Sequence, residues 1–254
     1  MTVGALIWII ILFCMEEENI LEVKNLSVIL EKEHILTDVS FGVKRGEALA
    51  IIGPNGAGKT VLFRALLGLL PYQGEIAWKK SVRIGYVPQK FYIDRAIPFT
   101  VREFFLLKSS GFWFPQKGFS AHLIHELSLV GLGEEALSRQ VSELSGGQLQ
   151  RILISWAMVN HPDVLLFDEP TAGIDVGAEE TIYTILHKLQ KERGTTVLLI
   201  SHDLNVVYRY ADNVLCVNKE LICHGKPQDI LNPAELSRIY GEGGFYHHPQ
   251  KELL

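Results

Sequence analysis

The apolar run Ala48 to Ile52 breaks into Gly53-Pro54-Asn55-Gly56-Ala57-Gly58-Lys59-Thr60, and no other stretch of this chain restricts its fold so strongly. A short apolar run without polar alternation is the pattern of a strand buried on both faces of a parallel sheet. The residues after it, Thr60 to Leu70, have helical content, and Pro71 is placed to stop them. Between strand and helix, Gly53 to Thr60 fits G-x-x-x-x-G-K-[ST]. In that pattern glycines let backbone N–H groups curl around phosphate oxygens while the helix points its positive end at them. Lys59 is then expected on the β- and γ-phosphates of a nucleotide, with the Thr60 hydroxyl offered to Mg²⁺. A chance glycine turn is the alternative, and the flanking strand and helix argue against it.

The rest of the chain organises around this unit. From Ile20, ILEVKNLSVIL reads as a strand, and Val39, Phe41 and Val43 recur at period two before a turn at Arg45-Gly46, which together suggest an antiparallel β edge. In the later half, Val164–Phe167 and Val197–Ser201 read as strands, and Ala178–Arg193 and Leu204–Tyr210 as helices. That alternation predicts an α/β fold with a parallel sheet. Strand signals vanish between Phe91 and Val159, so a helical subdomain is expected there. The predicted division is a core of 20–90 and 160–235, an insert of 91–159 and a tail of 236–254. Residues 1–19 are set apart as an extension. Residues 2–14 carry no charge and meet Met15-Glu16-Glu17-Glu18 at once. They are too short for a bilayer span, which takes about 20 apolar residues, so Met15 is expected to be the true start.

With 254 residues, 48% of them hydrophobic, the chain is long enough to bury a full core. Its 24 basic and 29 acidic residues leave a formal net charge of -5, and that balance excludes nucleic acid as the main partner. Three cysteines, Cys14, Cys216 and Cys223, lack metal-ligand spacing and are expected to be reduced, buried and without chemistry.

Two further motifs carry chemistry. The strand VLLF delivers Asp168 and Glu169 to its carboxyl end, where ligands bind in open α/β sheets. Asp168 is a candidate Mg²⁺ holder and Glu169 a candidate general base for an attacking water. An Asp-Glu pair after a strand can also be a simple turn with a helix cap. In Leu144-Ser145-Gly146-Gly147-Gln148, Ser145 and Gln148 fit a capping box that starts a helix running to Val159. The box does not explain two glycines in the first turn, which cost about 1 kcal/mol each relative to alanine. Bare backbone at a helix start suits a second anion site.

GPNGAGKT, the glutamine of YVPQ, LSGGQ followed by LQR, VLLFDEPTAGID and LLISHD stand in the order found in ATP-binding cassette proteins, and the chain resembles that family over nearly all of Ile20 to Gln228. The resemblance implies a P-loop NTPase core of RecA-like type with Mg²⁺ and ATP. It implies a head-to-tail homodimer in which Ser145, Gly146, Gly147 and Gln148 act in trans on ATP held by the partner's loop. By position Gln89 contacts Mg²⁺ and the attacking water, Asp175 reaches across the dimer, and His202 contacts the γ-phosphate; without this context a histidine after a strand is more often structural. Val61 completes the nucleotide-binding loop but replaces the family's usual second hydroxyl residue. Leu30 stands near the place of the usual adenine-stacking ring.

A single cassette without a membrane span resembles the separate ATPase subunit of a bacterial transporter, peripheral on the cytoplasmic face through permease subunits. Phe99, Phe104, Phe105, Phe112, Trp113, Phe114 and Phe119 crowd the insert, with Phe104 and Phe105 read as core and 112–114 as a docking surface. RIGYVPQKFYIDRAIPFTVREFF, ISHDLNVVYRYADNVLCVN and IYGEGGFYHH resemble the ATPases of zinc and manganese uptake, which implies an extracytoplasmic metal-binding protein as an indirect partner. An importer ATPase for another solute, or a non-transport cassette protein, stands as the alternative. His122-x-x-His125 and His247-His248 lack further ligands and read as surface polar residues.

Overall fold

A computed structural model describes residues 19–91, 98–108, 118–169 and 176–241, with backbone only for 176–181. The segment 1–14, the aromatic run 112–114, Asp175 and His247-His248 lie outside the described residues.

Two sheets share the molecule. The first is antiparallel, in the order β2-β1-β4, from β1 (Asn19–Leu30), β2 (Glu33–Lys44) and β4 (Gln73–Trp78). The second has the order β5-β6-β7-β3-β8-β9, from β3 (Ala48–Ile52), β5 (Ile84–Val87), β6 (Val164–Asp168), β7 (Thr196–Ile200), β8 (Asn213–Asn218) and β9 (Glu220–Gly225). Its first five strands run parallel and β9 runs antiparallel. Every residue of β3, β6 and β7 is buried, as their unbroken apolar runs require.

Successive side chains of a strand point to opposite faces, and the core divides accordingly. Val164 and Leu166 pack with the antiparallel sheet and with Leu62, Phe63 and Leu66 of α1 (Lys59–Leu66). Leu165 and Phe167 pack on the other side with Phe105 of α2 (Val101–Leu106), Leu127 of α3 (Phe119–Leu129) and Ile152 of α4 (Gly146–Met158). The helices of the insert thus extend one face of the sheet and share its core. Phe104 and Phe105 are buried, and the Phe104 ring lies 5.2 Å from that of Trp156. After β6 come α5 (Val176–Arg193), α6 (Leu204–Tyr210), the short α7 (Pro227–Ile230) and α8 (Pro233–Tyr240).

Two expectations need correction. The helix after the glycine loop ends at Leu66 rather than Leu70, because Gly68 adopts φ 69° and takes the chain out of the helix a turn before Pro71. Cys216 and Cys223 are not free: they sit opposite each other in the β8–β9 pairing, with Cα atoms 4.9 Å apart, and form a disulfide. Side chains directly opposite in an antiparallel pair come within bridging distance, which spacing alone did not reveal.

Glu126 of α3 is a buried acid, with 1% of its side chain exposed, gripped by Arg193 at the end of α5 through two hydrogen bonds of 3.0 and 3.2 Å. Arg193→Ala leaves that carboxylate without its cation. Breaking a buried pair costs about 3–5 kcal/mol, and because Arg193 keeps 24% exposure the expected loss is nearer 2 kcal/mol. Urea denaturation checks it, and an unchanged midpoint refutes it.

Candidate functional site

Strands β5, β6, β7 and β3 are neighbours, so their carboxyl ends meet at one edge of the sheet. Each delivers one predicted group: Gln89 follows β5, Asp168 and Glu169 end β6, His202 follows β7, and the glycine loop follows β3. Six side chains widely separated in sequence therefore converge because of strand order.

The loop is tight where the sequence demands it. A Cβ on Gly53 would lie 2.0 Å from the carbonyl oxygen of Val217, so no larger residue fits there. Lys59, 6% exposed, donates from Nζ to the carbonyls of Gly53 at 2.8 Å and Pro54 at 2.9 Å. Burial pushes its pKa down, while Glu169 and Asp168 pull it back up. Thr60 Oγ1 donates to Asp168 Oδ1 at 3.1 Å, and the Tyr86 hydroxyl donates to Oδ2 at 3.4 Å. Burial raises the Asp168 pKa against the hydrogen bond from Thr60, and burial together with the Asp168 charge pushes Tyr86 up to about 12.

Glu169 is the hub of the second half. Its backbone sits at φ 47°, a left-handed conformation that costs a glutamate about 1–3 kcal/mol. Its N–H donates to the carbonyl of Ile200 at 3.1 Å, which ties β6 to β7 at this bend. One carboxylate oxygen, Oε2, accepts from Gln89 Nε2, and the other, Oε1, lies 2.5 Å from His202 Nε2. Asp203 places the histidine by capping α6, its Oδ1 accepting from the N–H of Asn205 at 2.8 Å.

The Ser145 segment is built as a cap. Ser145 Oγ accepts from the Gln148 N–H at 3.3 Å and Gln148 Oε1 accepts from the Ser145 N–H at 3.1 Å. Arg139, which sequence reading missed, donates to the same Gln148 oxygen at 3.0 Å. Among the described residues, no hydrogen bond joins Ser145, Gly146, Gly147 or Gln148 to the glycine loop. Val61 is half-buried and packs on the core, as does Leu30 at the end of β1. Two residues beside the loop also escaped the sequence: Tyr86, and Tyr240 of α8, a phenol raised by burial and hydrogen-bonded to the backbone of Gly53. Tyr86 lies in the strand leading to Gln89, a weak signal; Tyr240 had none.

The profile of the ABC transporter family matches residues 36–172, more than half of the chain. The chain belongs to this family. It is an ATP-binding cassette, the part of an ABC transporter that binds and hydrolyses ATP. The zinc import ATP-binding protein ZnuC of Cereibacter sphaeroides is 38% identical over 220 residues, 86% of this chain and 87% of its own length. The zinc import ATP-binding protein ZnuC of Pasteurella multocida is 35% identical over 225 residues, 88% and 82% of the two lengths. Among solved structures, the ADP conformation of an ATP-binding cassette of an ABC transporter matches with TM-score 0.75 and 25% identity, covering 88% of this chain and 98% of that one. The dimeric structure of a bacterial ABC transporter cassette matches with TM-score 0.70 and 27% identity, covering 82% and 98%.

Proposed function

We propose that this cassette is the ATPase subunit of a zinc importer, working as a head-to-tail dimer on the cytoplasmic face beneath separate permease subunits that receive the ion from an extracytoplasmic binding protein. The observation that carries the catalytic part is the meeting of Lys59, Thr60, Gln89, Asp168, Glu169 and His202 at four adjacent strand ends. The zinc part rests on the relatives quoted, which carry zinc in their names and not manganese.

In this reading the glycine loop N–H groups and Lys59 hold the β- and γ-phosphates. Glu169 takes a proton as water attacks the γ-phosphorus and the bond to the bridging oxygen breaks, releasing ADP and phosphate. Gln89 and His202, one on each carboxylate oxygen, aim Glu169 and the water. Thr60, Asp168 and Gln89 suit Mg²⁺: a hydroxyl and a carboxylate 3.1 Å apart are hard oxygen donors, and a cation relieves the burial of Asp168. Bound there, Mg²⁺ neutralises phosphate charge. Ser145, Gly146, Gly147 and Gln148 close the site from the partner subunit. No described helix is long and apolar enough to cross a membrane.

Reconstitution with the cognate permease in vesicles tests the proposal. ATP-dependent accumulation of zinc is the expected result. Accumulation of manganese but not zinc at equal concentration overturns the choice of ion, and uptake indifferent to ATP overturns the motor assignment.

A further inference from the structure

Far from the strand ends that carry the nucleotide chemistry, three potential ligands gather at the opposite edge of the sheet. His122 and Glu126 lie four residues apart on α3, hence on one face of that helix. His161 sits in the short turn between α4 and β6. One ligand atom from each of the three lies within 4.8 Å of the others. The His122 and His161 rings are 5.0 Å apart, centre to centre.

We infer that His122, Glu126 and His161 form a binding site for a zinc-class divalent ion, distinct from the Mg²⁺ position of the nucleotide site. The donor chemistry suits it: two imidazoles and one carboxylate, with a fourth position left to water, is a common set for this borderline-soft metal. The outer contacts suit it as well. His122 Nε2 donates to the carbonyl of Val159 at 2.8 Å, so the neutral ring keeps its lone pair on Nδ1. A ligating histidine is normally fixed through its other nitrogen in this way. Arg193 holds the Glu126 carboxylate through both oxygens, yet each oxygen has a further lone pair for a metal. His161 is exposed, which gives the ion a way in. Its N–H donates to the carbonyl of Met158 at 2.8 Å, and its backbone takes φ 47°, so the turn holds it beside α3.

Tetrahedral bonds of about 2.0–2.2 Å place ligand atoms about 3.4 Å apart. The cluster must therefore contract on binding, and the exposed His161 ring is the member freest to move. The pairing also corrects the sequence: His125 is exposed on another part of α3, and the true partners of His122 are a buried acid and a residue beyond the next helix. A bound ion would pin α3 to the turn joining the helix that begins after Ser145 to the strand that ends at Asp168.

The test uses the untagged full-length chain without nucleotide, titrated with Co²⁺ as a spectroscopic probe and then with Zn²⁺ in competition. The expected result is a visible absorption band that saturates at one equivalent and is displaced by Zn²⁺. His161→Asn and His122→Ala should each weaken binding by at least about 100-fold, beyond the ~10–100-fold typical of lost outer contacts. His125→Ala, Asp168→Asn and the double variant His247→Ala/His248→Ala should keep it. Because His161 is exposed, circular dichroism of His161→Asn should match the parent, separating lost binding from lost folding. A band that survives His161→Asn, or that follows His247 and His248 or Asp168 instead, overturns the inference.

Discussion

Glu169→Gln is expected to bind ATP as tightly as the parent chain and to hydrolyse it about 10³-fold more slowly, within the ~10²–10⁴-fold range of a lost general base. Both Glu169 oxygens already have partners, Gln89 on one and His202 on the other, so the carboxylate is aimed rather than free. The amide keeps the shape and can still accept one of those hydrogen bonds. It cannot take a proton from water. If the two phosphate grips close on each other across a dimer, as proposed, the stalled variant should also accumulate as an ATP-bound dimer. Phosphate release at saturating ATP measures the first effect, and gel filtration with and without ATP the second. A variant that turns over at the parent rate removes Glu169 from the role given to it, and a monomer that hydrolyses normally overturns the site shared across a dimer.

The parts of this site that were legible in the sequence are those whose physics is local. The glycine loop needs only a strand before it and a helix after it, and both lie within twenty residues. The Ser145–Gln148 box closes over three residues, and it forms as the spacing predicts. Asp168 and Glu169 were legible because a fully apolar run can only end at the edge of a buried sheet. What stayed hidden depends on strand order and register. Nothing local says that β5, β6, β7 and β3 lie side by side, so Gln89 enters the site only through resemblance, as a contact of Mg²⁺ and water, and its hydrogen bond to Glu169 emerges only from the fold. The pairing of Cys216 with Cys223 depends on the β8–β9 register. The bond between Tyr240 and the Gly53 backbone joins the end of the described chain to a loop far upstream. Nothing in the local sequence around Glu126 points to Arg193, which α5 brings to it from 67 residues away.

The same distinction between local pattern and assembled site governs Lys59. Its position in the glycine loop was plain from sequence, but its energetic state was not: a buried ammonium satisfied by two carbonyls of its own loop, its pKa lowered by burial and supported by Glu169 and Asp168. Such a cation is already desolvated and fixed, so phosphate oxygens gain a strong partner at little further ordering cost. Lys59→Ala is therefore expected to lose at least about 100-fold in ATP affinity, two charge-assisted contacts at ~1.5–3 kcal/mol each being more than enough. Thermal unfolding with and without Mg-ATP measures this without any need for turnover. At ATP near 100 times its Kd, the parent should gain about 2.7 kcal/mol; the variant at the same concentration should gain no more than about 0.4 kcal/mol, since its Kd would then equal the ligand concentration. Without nucleotide the variant should stay close to the parent in stability, because losing the donor to the Gly53 and Pro54 carbonyls is offset by relieving the burial of a charge. A full ATP-induced shift in Lys59→Ala would show that the glycine backbone alone holds the phosphates.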